Sequence, residues 1–139
     1  MDKKIIWGGL TATVVLFLLG YLAYGVLLKD FYASEMIPGV NKEMPDFFPL
    51  ILGHIAFGFL LALILGRWAK VDAVGEGVKV GFIAGLLMGA GFDLTMYATS
   101  NLMSMQAAIT DIVLSAIMFS IAAAIASWVM GTSRKTVAA

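Results

Sequence analysis

Four long apolar stretches constrain this chain more than any other feature of its sequence. They cover about residues 5–28, 47–68, 78–99 and 106–130, and each is close to the ~20 residues that an α-helix needs to cross a bilayer. Because lipid offers no hydrogen-bond partner to an open backbone, each stretch is predicted to be a transmembrane helix. The stretches are continuously apolar rather than alternating, which argues against a membrane β-barrel.

Composition supports a membrane protein with one domain. Of the 139 residues, 61% are hydrophobic and 13% are charged, whereas soluble domains carry about 25% charged residues. A soluble fold of this composition would expose a large apolar surface. Nine basic and nine acidic residues cancel, so no overall charge attracts nucleic acid. We predict an all-α, polytopic membrane protein in which residues 1–139 form a single four-helix transmembrane domain.

Short signals mark the ends of these predicted helices. The first stretch follows a charged segment but is longer than the apolar region of a signal peptide, so it is predicted to be a retained helix. The segment Gly75–Gly77 predicts the turn before the third helix. Gly131 follows the fourth stretch and predicts its C-cap.

Lysine and arginine residues are distributed unevenly between the two predicted sides. Two of the nine, Lys29 and Lys42, lie on one side, and the remaining seven lie on the other. Because cytoplasmic loops carry the excess of these residues, both termini are predicted to be cytoplasmic, with loops 29–46 and 100–105 facing outward. The seven are Lys3, Lys4, Arg67, Lys70, Lys79, Arg134 and Lys135.

The aromatic residues favour the same orientation. All three tryptophans fall at the predicted inner interface, and all four tyrosines fall in the outer half or in the outer loop. Aromatic belts of this kind anchor helices at the depth of the lipid headgroups. The tryptophans are Trp7, Trp68 and Trp128, and the tyrosines are Tyr21, Tyr24, Tyr32 and Tyr97.

Three side chains that can carry a charge fall well inside the predicted spans: His54, Asp93 and Asp111. A charge at the bilayer centre costs at least about 2.5–3.5 kcal/mol, so each of them needs a reason to be there. At about 1.5 Å per residue, each lies roughly 8–10 Å from the outer end of its helix. The three are therefore predicted to share one layer in the outer half of the membrane.

Each of these residues also lies on the small-residue face of its helix. Gly81, Gly85 and Gly89 precede Asp93 at four-residue spacing, and Tyr97 follows it at the same spacing. Glycines at this spacing allow another helix to approach closely, so they predict a packing face and an inward-pointing Asp93. The corresponding stripes on the other two helices are Ala107, Asp111 and Ser115, and His54, Gly58 and Ala62.

We expect Asp93, Asp111 and His54 to converge within hydrogen-bonding or one-water reach, with Thr95 and Tyr97 close by. Two neighbouring carboxylates in a low dielectric cannot both ionise cheaply, so one would keep its proton. Such a group could exchange protons with the outer face, or bind a cation or a small ligand. One histidine and two aspartates could also hold a metal, but without a ligand-spacing motif neither a metal nor a cofactor is predicted.

A purely structural interpretation of the same residues stays open. Asp93 could hydrogen-bond Thr110, Tyr21 or Tyr24 and simply fix the bundle, and His54 could be neutral and satisfied by one backbone carbonyl. Under this interpretation the polar layer holds helices together and binds nothing.

The segment Gly91–Thr95 (Gly-Phe-Asp-Leu-Thr), followed by Asp111 and Ile112, resembles a pattern in small bacterial four-helix inner-membrane families known only as domains of unknown function. In those families an aromatic-Asp-Leu-Thr-Asn run on the third helix is paired with an Asp-Ile opening of the fourth. Met96 stands where the Asn would be, and Leu114 and Ser115 replace a Trp-Gly. The resemblance implies a bacterial inner-membrane location and carries no activity.

Two functions follow from these observations. The short loops and the lack of motifs favour a structural or accessory subunit that associates with other membrane proteins. The alternative is a proton- or cation-coupled transporter, or a small-ligand-binding membrane protein, that uses Asp93, Asp111 and His54. Four helices enclose little space, so this alternative implies a homo-oligomer. The chain has no nucleophile motif, which favours a non-enzymatic role.

Overall fold

The structure, a computed structural model, describes residues 2–71 and 73–137, with side chains described as far as Gly131. Within these residues the fold is all-helical and forms no β-strand. Two π-helical segments, Tyr21–Leu27 and Ile64–Trp68, continue the first and third helices. The five α-helices are α1 (Lys3–Gly20), α2 (Lys29–Glu35), α3 (Phe47–Leu63), α4 (Val74–Thr99) and α5 (Met105–Val137).

Among the described residues, four helical segments are long and apolar enough to cross a membrane, which confirms the predicted all-α fold with four candidate spans. They run over Lys3–Leu27, Phe47–Trp68, Val74–Thr99 and Met105–Gly131. Large apolar side chains such as Leu18, Ile83 and Ile117 are exposed on their outer surfaces. This distribution fits a bundle that is solvated by lipid chains rather than by water.

Three details of the predicted helix boundaries are wrong. The segment Gly75–Gly77 is part of α4, because Gly77 packs tightly against Ser127 of α5. Gly131 does not end α5, which continues to Val137 without the positive φ of a glycine cap. The predicted outer loop 29–46 contains α2, a short helix that the apolar pattern does not reveal.

The spans pack as antiparallel neighbours, α1 against α3 and α4 against α5, and α1 also packs against α5. The main core therefore lies along α1 and α5, where Leu61 of α3 and Leu65 of the π-helical segment that follows it are fully buried. Small residues of α5 allow these close approaches. The buried alanines of α5 in this core are Ala122, Ala123 and Ala126.

The interface between α4 and α5 is built on a glycine stripe. A Cβ atom added to Gly81 would lie 2.5 Å from Cβ of Ala123, and one added to Gly85 would lie 2.7 Å from Cβ of Phe119. Any side chain at these positions would push the two helices apart. The buried residues of α4 all lie on this stripe at four-residue spacing: Gly77, Gly81, Gly85, Gly89 and Asp93.

Helix α2 lies at the end of the bundle where α4 ends and α5 begins, which we call the α2 end. The backbone N–H of Ser104 donates to the carbonyl of Glu35 (3.0 Å), and the Ser104 hydroxyl donates to the Glu35 carboxylate. The same hydroxyl oxygen accepts the N–H of Ala107 (3.0 Å) and so caps α5. Ser104 therefore joins α2 directly to the start of α5.

The opposite end of the bundle, which we call the Arg67 end, contains the start of α1 and the π-helical end of α3. Gly66 lies there beside Ile5 of α1 and Met130 of α5. The N-terminus of the bundle and the C-terminal part of α5 are therefore at the same end. This arrangement follows from four antiparallel spans.

Candidate functional site

The carboxylate of Asp111, in the second turn of α5, joins three elements at the α2 end. Its Oδ1 atom accepts a hydrogen bond from the hydroxyl of Tyr24 (2.5 Å) and another from the hydroxyl of Tyr32 (3.0 Å). Hydrogen bonds to an ionised acceptor are shorter and stronger than those between neutral groups. The π-helical segment of α1, helix α2 and helix α5 thus meet at one oxygen atom.

Asp93 of α4 lies beside Asp111 and is only 2% exposed. Its carboxyl group interacts directly with that of Asp111, within hydrogen-bonding reach. Among the residues that the structure describes, no donor is directed at Asp93 Oδ2. The ion pairs found among the described residues, Lys4 with Asp2 and Lys42 with Asp46, do not involve Asp93. Asp93 is therefore a buried acid whose described polar partner is a second acid.

The π-helical segment Tyr21–Leu27 carries Tyr24 to this site. The N–H of Leu28 donates to the carbonyl of Ala23 (2.8 Å), five residues earlier, as the wider turn requires. Ala23 faces the core and Tyr21 is exposed, while Tyr24 reaches across to α5. Single π-helical turns within α-helices are frequent at functional sites.

Tyr32 supplies the second hydroxyl from α2. Its ring is buried and lies 5.3 Å from that of Tyr24, between ring centroids. Burial first, and then the negative charge of Asp111, raise the pKa of the Tyr32 hydroxyl above its ordinary value of 10.0. The hydroxyl consequently stays protonated at neutral pH and remains a donor to Asp111.

The structure places His54 apart from the two aspartates. Its Nδ1 atom lies 2.8 Å from the carbonyl oxygen of Leu50, and its ring packs edge-on against Phe17 at 5.3 Å. Within the described residues, no group of three histidine, cysteine, aspartate or glutamate side chains is placed to hold a metal ion. The expected group of three charges is therefore a pair of carboxyl groups, and His54 belongs to the α1–α3 interface.

The other predicted site residues lie outside the pair. Thr95 donates its hydroxyl to the carbonyl of Gly91 in its own helix (2.7 Å), and Tyr97 is exposed. The sequence analysis placed both Tyr24 and Tyr32 in the outer aromatic belt and named Tyr24, but not Tyr32, as a possible partner of Asp93. The available signal was their side of the membrane, since both tyrosines fall in the predicted outer half or outer loop, on the same side as the aspartates.

Comparison of the chain with family models, characterised proteins and solved structures found no match. The resemblance of Gly91–Thr95 to four-helix inner-membrane families therefore stays a prediction. Fold and site together define a multi-pass helical membrane protein with a buried carboxyl pair bonded to two tyrosines.

Proposed function

We propose that the protein binds and releases a proton at the Asp93–Asp111 pair and acts as a proton-coupled membrane protein. The observation that carries this proposal is a carboxyl group, that of Asp93, which is only 2% exposed and whose polar partner is a second carboxyl group, that of Asp111. Two neighbouring carboxylates repel each other strongly when water is excluded. A shared proton removes that repulsion and turns the contact into a hydrogen bond.

Within the pair, Asp93 is the proton-holding member and Asp111 the charged one. Asp111 Oδ1 accepts two tyrosine hydroxyls, and hydrogen bonds of this kind stabilise an ionised carboxylate. Asp93 has no comparable donors among the described residues. A protonated Asp93 donates to Asp111, so the pair carries one negative charge supported by Tyr24 and Tyr32.

Exposure supports a route for the proton from the α2 end. Asp111 is half-buried and Tyr24 is 37% exposed, whereas Asp93 is enclosed. A proton arriving at the exposed edge of Asp111 can pass to Asp93 through their contact. A structural or accessory subunit needs no such buried acid pair, and for this reason the geometry favours the proton-coupled alternative over an accessory role.

The distribution of basic residues supports an orientation for this site. Seven lysine and arginine residues on the side of the termini against two on the other favour cytoplasmic termini. The α2 end then faces outward, and the pair exchanges protons with the outside of a bacterial inner membrane. Because four helices enclose little space, we propose that a transported substrate would cross between two copies of the chain.

Infrared spectroscopy of the purified protein in bilayers tests proton binding directly. We expect the wild type to show the carbonyl band of a protonated carboxylic acid at mildly acidic pH, and to lose it as the pH rises. Asp93→Asn should remove this band while changing the free energy of unfolding by only about 1 kcal/mol, because the amide still donates to Asp111.

Glu43→Gln is the matched control, since Glu43 is an exposed acid away from the pair. It should leave the band unchanged. If Asp93→Asn lowers the melting temperature but its infrared spectrum keeps the carbonyl band seen in the wild type, the pair is structural, and the accessory role is supported instead.

Single-cysteine labelling tests the orientation, because the natural chain contains no cysteine. Glu43→Cys should react with a membrane-impermeant maleimide in intact cells. Gly75→Cys, at the other end and with open space around its Cβ, should react only after the membrane is permeabilised. The reverse pattern would place the α2 end in the cytoplasm.

A further inference from the structure

The second polar feature of the molecule lies at the Arg67 end, far from the carboxyl pair. A cleft of about 250 Å³ opens between the start of α1 and the π-helical end of α3. Its lining consists of Asp2, Lys4, Ile5, Gly66 and Arg67. The proton-binding site does not involve any of these residues, so the cleft requires its own explanation.

Two cations from two different helices line this cleft, Lys4 on α1 and Arg67 on the π-helical end of α3. The one acid in the lining is Asp2, whose carboxylate lies 3.9 Å from the Lys4 ammonium and is 60% exposed. Because the Asp2 carboxylate is largely exposed to solvent and the ion pair is long, this pair contributes little and leaves Lys4 available for another anion. The lining therefore carries an excess of one positive charge.

Gly66, which lines the same cleft, forms a close contact between helices. A Cβ atom at this position would lie 3.2 Å from Cγ1 of Ile5 and 2.7 Å from Cε of Met130. The missing side chain lets α1, α3 and α5 meet closely at this point. Lys4 and Arg67 then border a cleft whose floor is closed by apolar packing.

The cleft also lies at the level of an aromatic belt. Trp7 is one turn from Lys4, Trp68 is next to Arg67, and both tryptophans are largely exposed. Exposed tryptophans are typical of the headgroup region of a membrane. Basic pockets between transmembrane helices are typical sites for anionic headgroups.

We propose that this cleft binds a phosphate group that carries one negative charge, with Lys4 and Arg67 as its ligands. Arginine can donate two parallel hydrogen bonds to phosphate oxygens, and lysine supplies a compact charge. The volume is below the roughly 300 Å³ at which pockets for drug-sized ligands begin, which suits a headgroup phosphate. The group belongs either to an anionic lipid or to a free phosphate ion in the water layer.

Thermal unfolding of the full chain in neutral detergent tests the site and distinguishes the two sources. Added phosphatidylglycerol should raise the melting temperature, and equal amounts of phosphatidylcholine should not. In the double variant Lys4→Gln/Arg67→Gln, the apparent affinity for phosphatidylglycerol should fall by roughly five-fold for each cation removed. Asp2→Asn should have the opposite effect, because it removes the competing carboxylate.

Two further variants keep this test independent of folding defects. Lys79→Gln removes an exposed cation of α4 on the same predicted side and should leave the affinity unchanged. Lys4→Arg/Arg67→Lys keeps both charges and should retain most of the binding. If sodium phosphate protects the wild type as well as the lipid does, and the double variant loses that protection, the source is free phosphate. Equal lipid affinity in wild type and the double variant would overturn the proposal.

Discussion

Gly85→Leu should separate α4 from α5 and destabilise the protein by about 3 kcal/mol or more, at the upper end of the cost of overpacking. Gly85 lies at the middle of the glycine stripe, where even a Cβ atom would lie 2.9 Å from the backbone carbonyl carbon of Ser115. Backbone atoms cannot move aside as a flexible side chain can. The whole helix must shift, and Asp93, two turns further along the stripe, shifts with it.

The matched control is Gly91→Leu, since Gly91 lies on the same helix and a Cβ there meets no atom within 4 Å. Reversible unfolding in detergent should show a large loss in the free energy of unfolding for Gly85→Leu and little change for Gly91→Leu. Truncation of the opposing side chain, Phe119→Ala, should not rescue Gly85→Leu, because the closest contacts are with the backbone and with a Cβ atom. A Gly85→Leu protein as stable as Gly91→Leu would show that the two helices do not depend on this close approach.

The glycine stripe is also where sequence reasoning succeeded most directly. Four-residue spacing is a property of one helix, so the sequence predicted that Asp93 shares a face with Gly81, Gly85 and Gly89. The structure places all four on the buried face of α4. The distance between Asp93 and Asp111 does not follow from the spacing along one helix, because it depends on how α4 packs against α5. The contacts of the glycine stripe determine how these two helices pack.

The remaining parts of the site depend on interactions that helix periodicity does not describe. Tyr24 reaches Asp111 from a π-helical segment, whereas a regular 3.6-residue period predicts no such turn. Tyr32 depends on α2, which is held by the Ser104–Glu35 contacts rather than by an apolar pattern of its own. Depth alone does not determine the direction of the His54 side chain, and its ring packs against Phe17 of α1.

Asp111→Ala should cost about 1–3 kcal/mol or more, because a donor in the bundle that loses its hydrogen-bond acceptor carries a penalty of that size. The variant leaves the Asp93 carboxyl without its described partner and removes the acceptor of both tyrosine hydroxyls. Hydrogen exchange should increase first in α2, because the Tyr32 contact with α5 is lost. Glu43→Ala, which removes an exposed acid, should change the free energy of unfolding by less than about 0.5 kcal/mol.

The sign of the coupling between the two aspartates then separates a shared proton from simple repulsion. If Asp93 donates a proton to Asp111, the pair attracts, and Asp111→Ala costs less in an Asp93→Ala background than in the wild type. A double-mutant cycle should then give a favourable coupling of about 0.5–3 kcal/mol. If both carboxylates were charged, removing either one would relieve repulsion, and the coupling would have the opposite sign. A coupling of that opposite sign, measured at neutral pH, would exclude a shared proton even if Asp93→Asn changes the infrared spectrum.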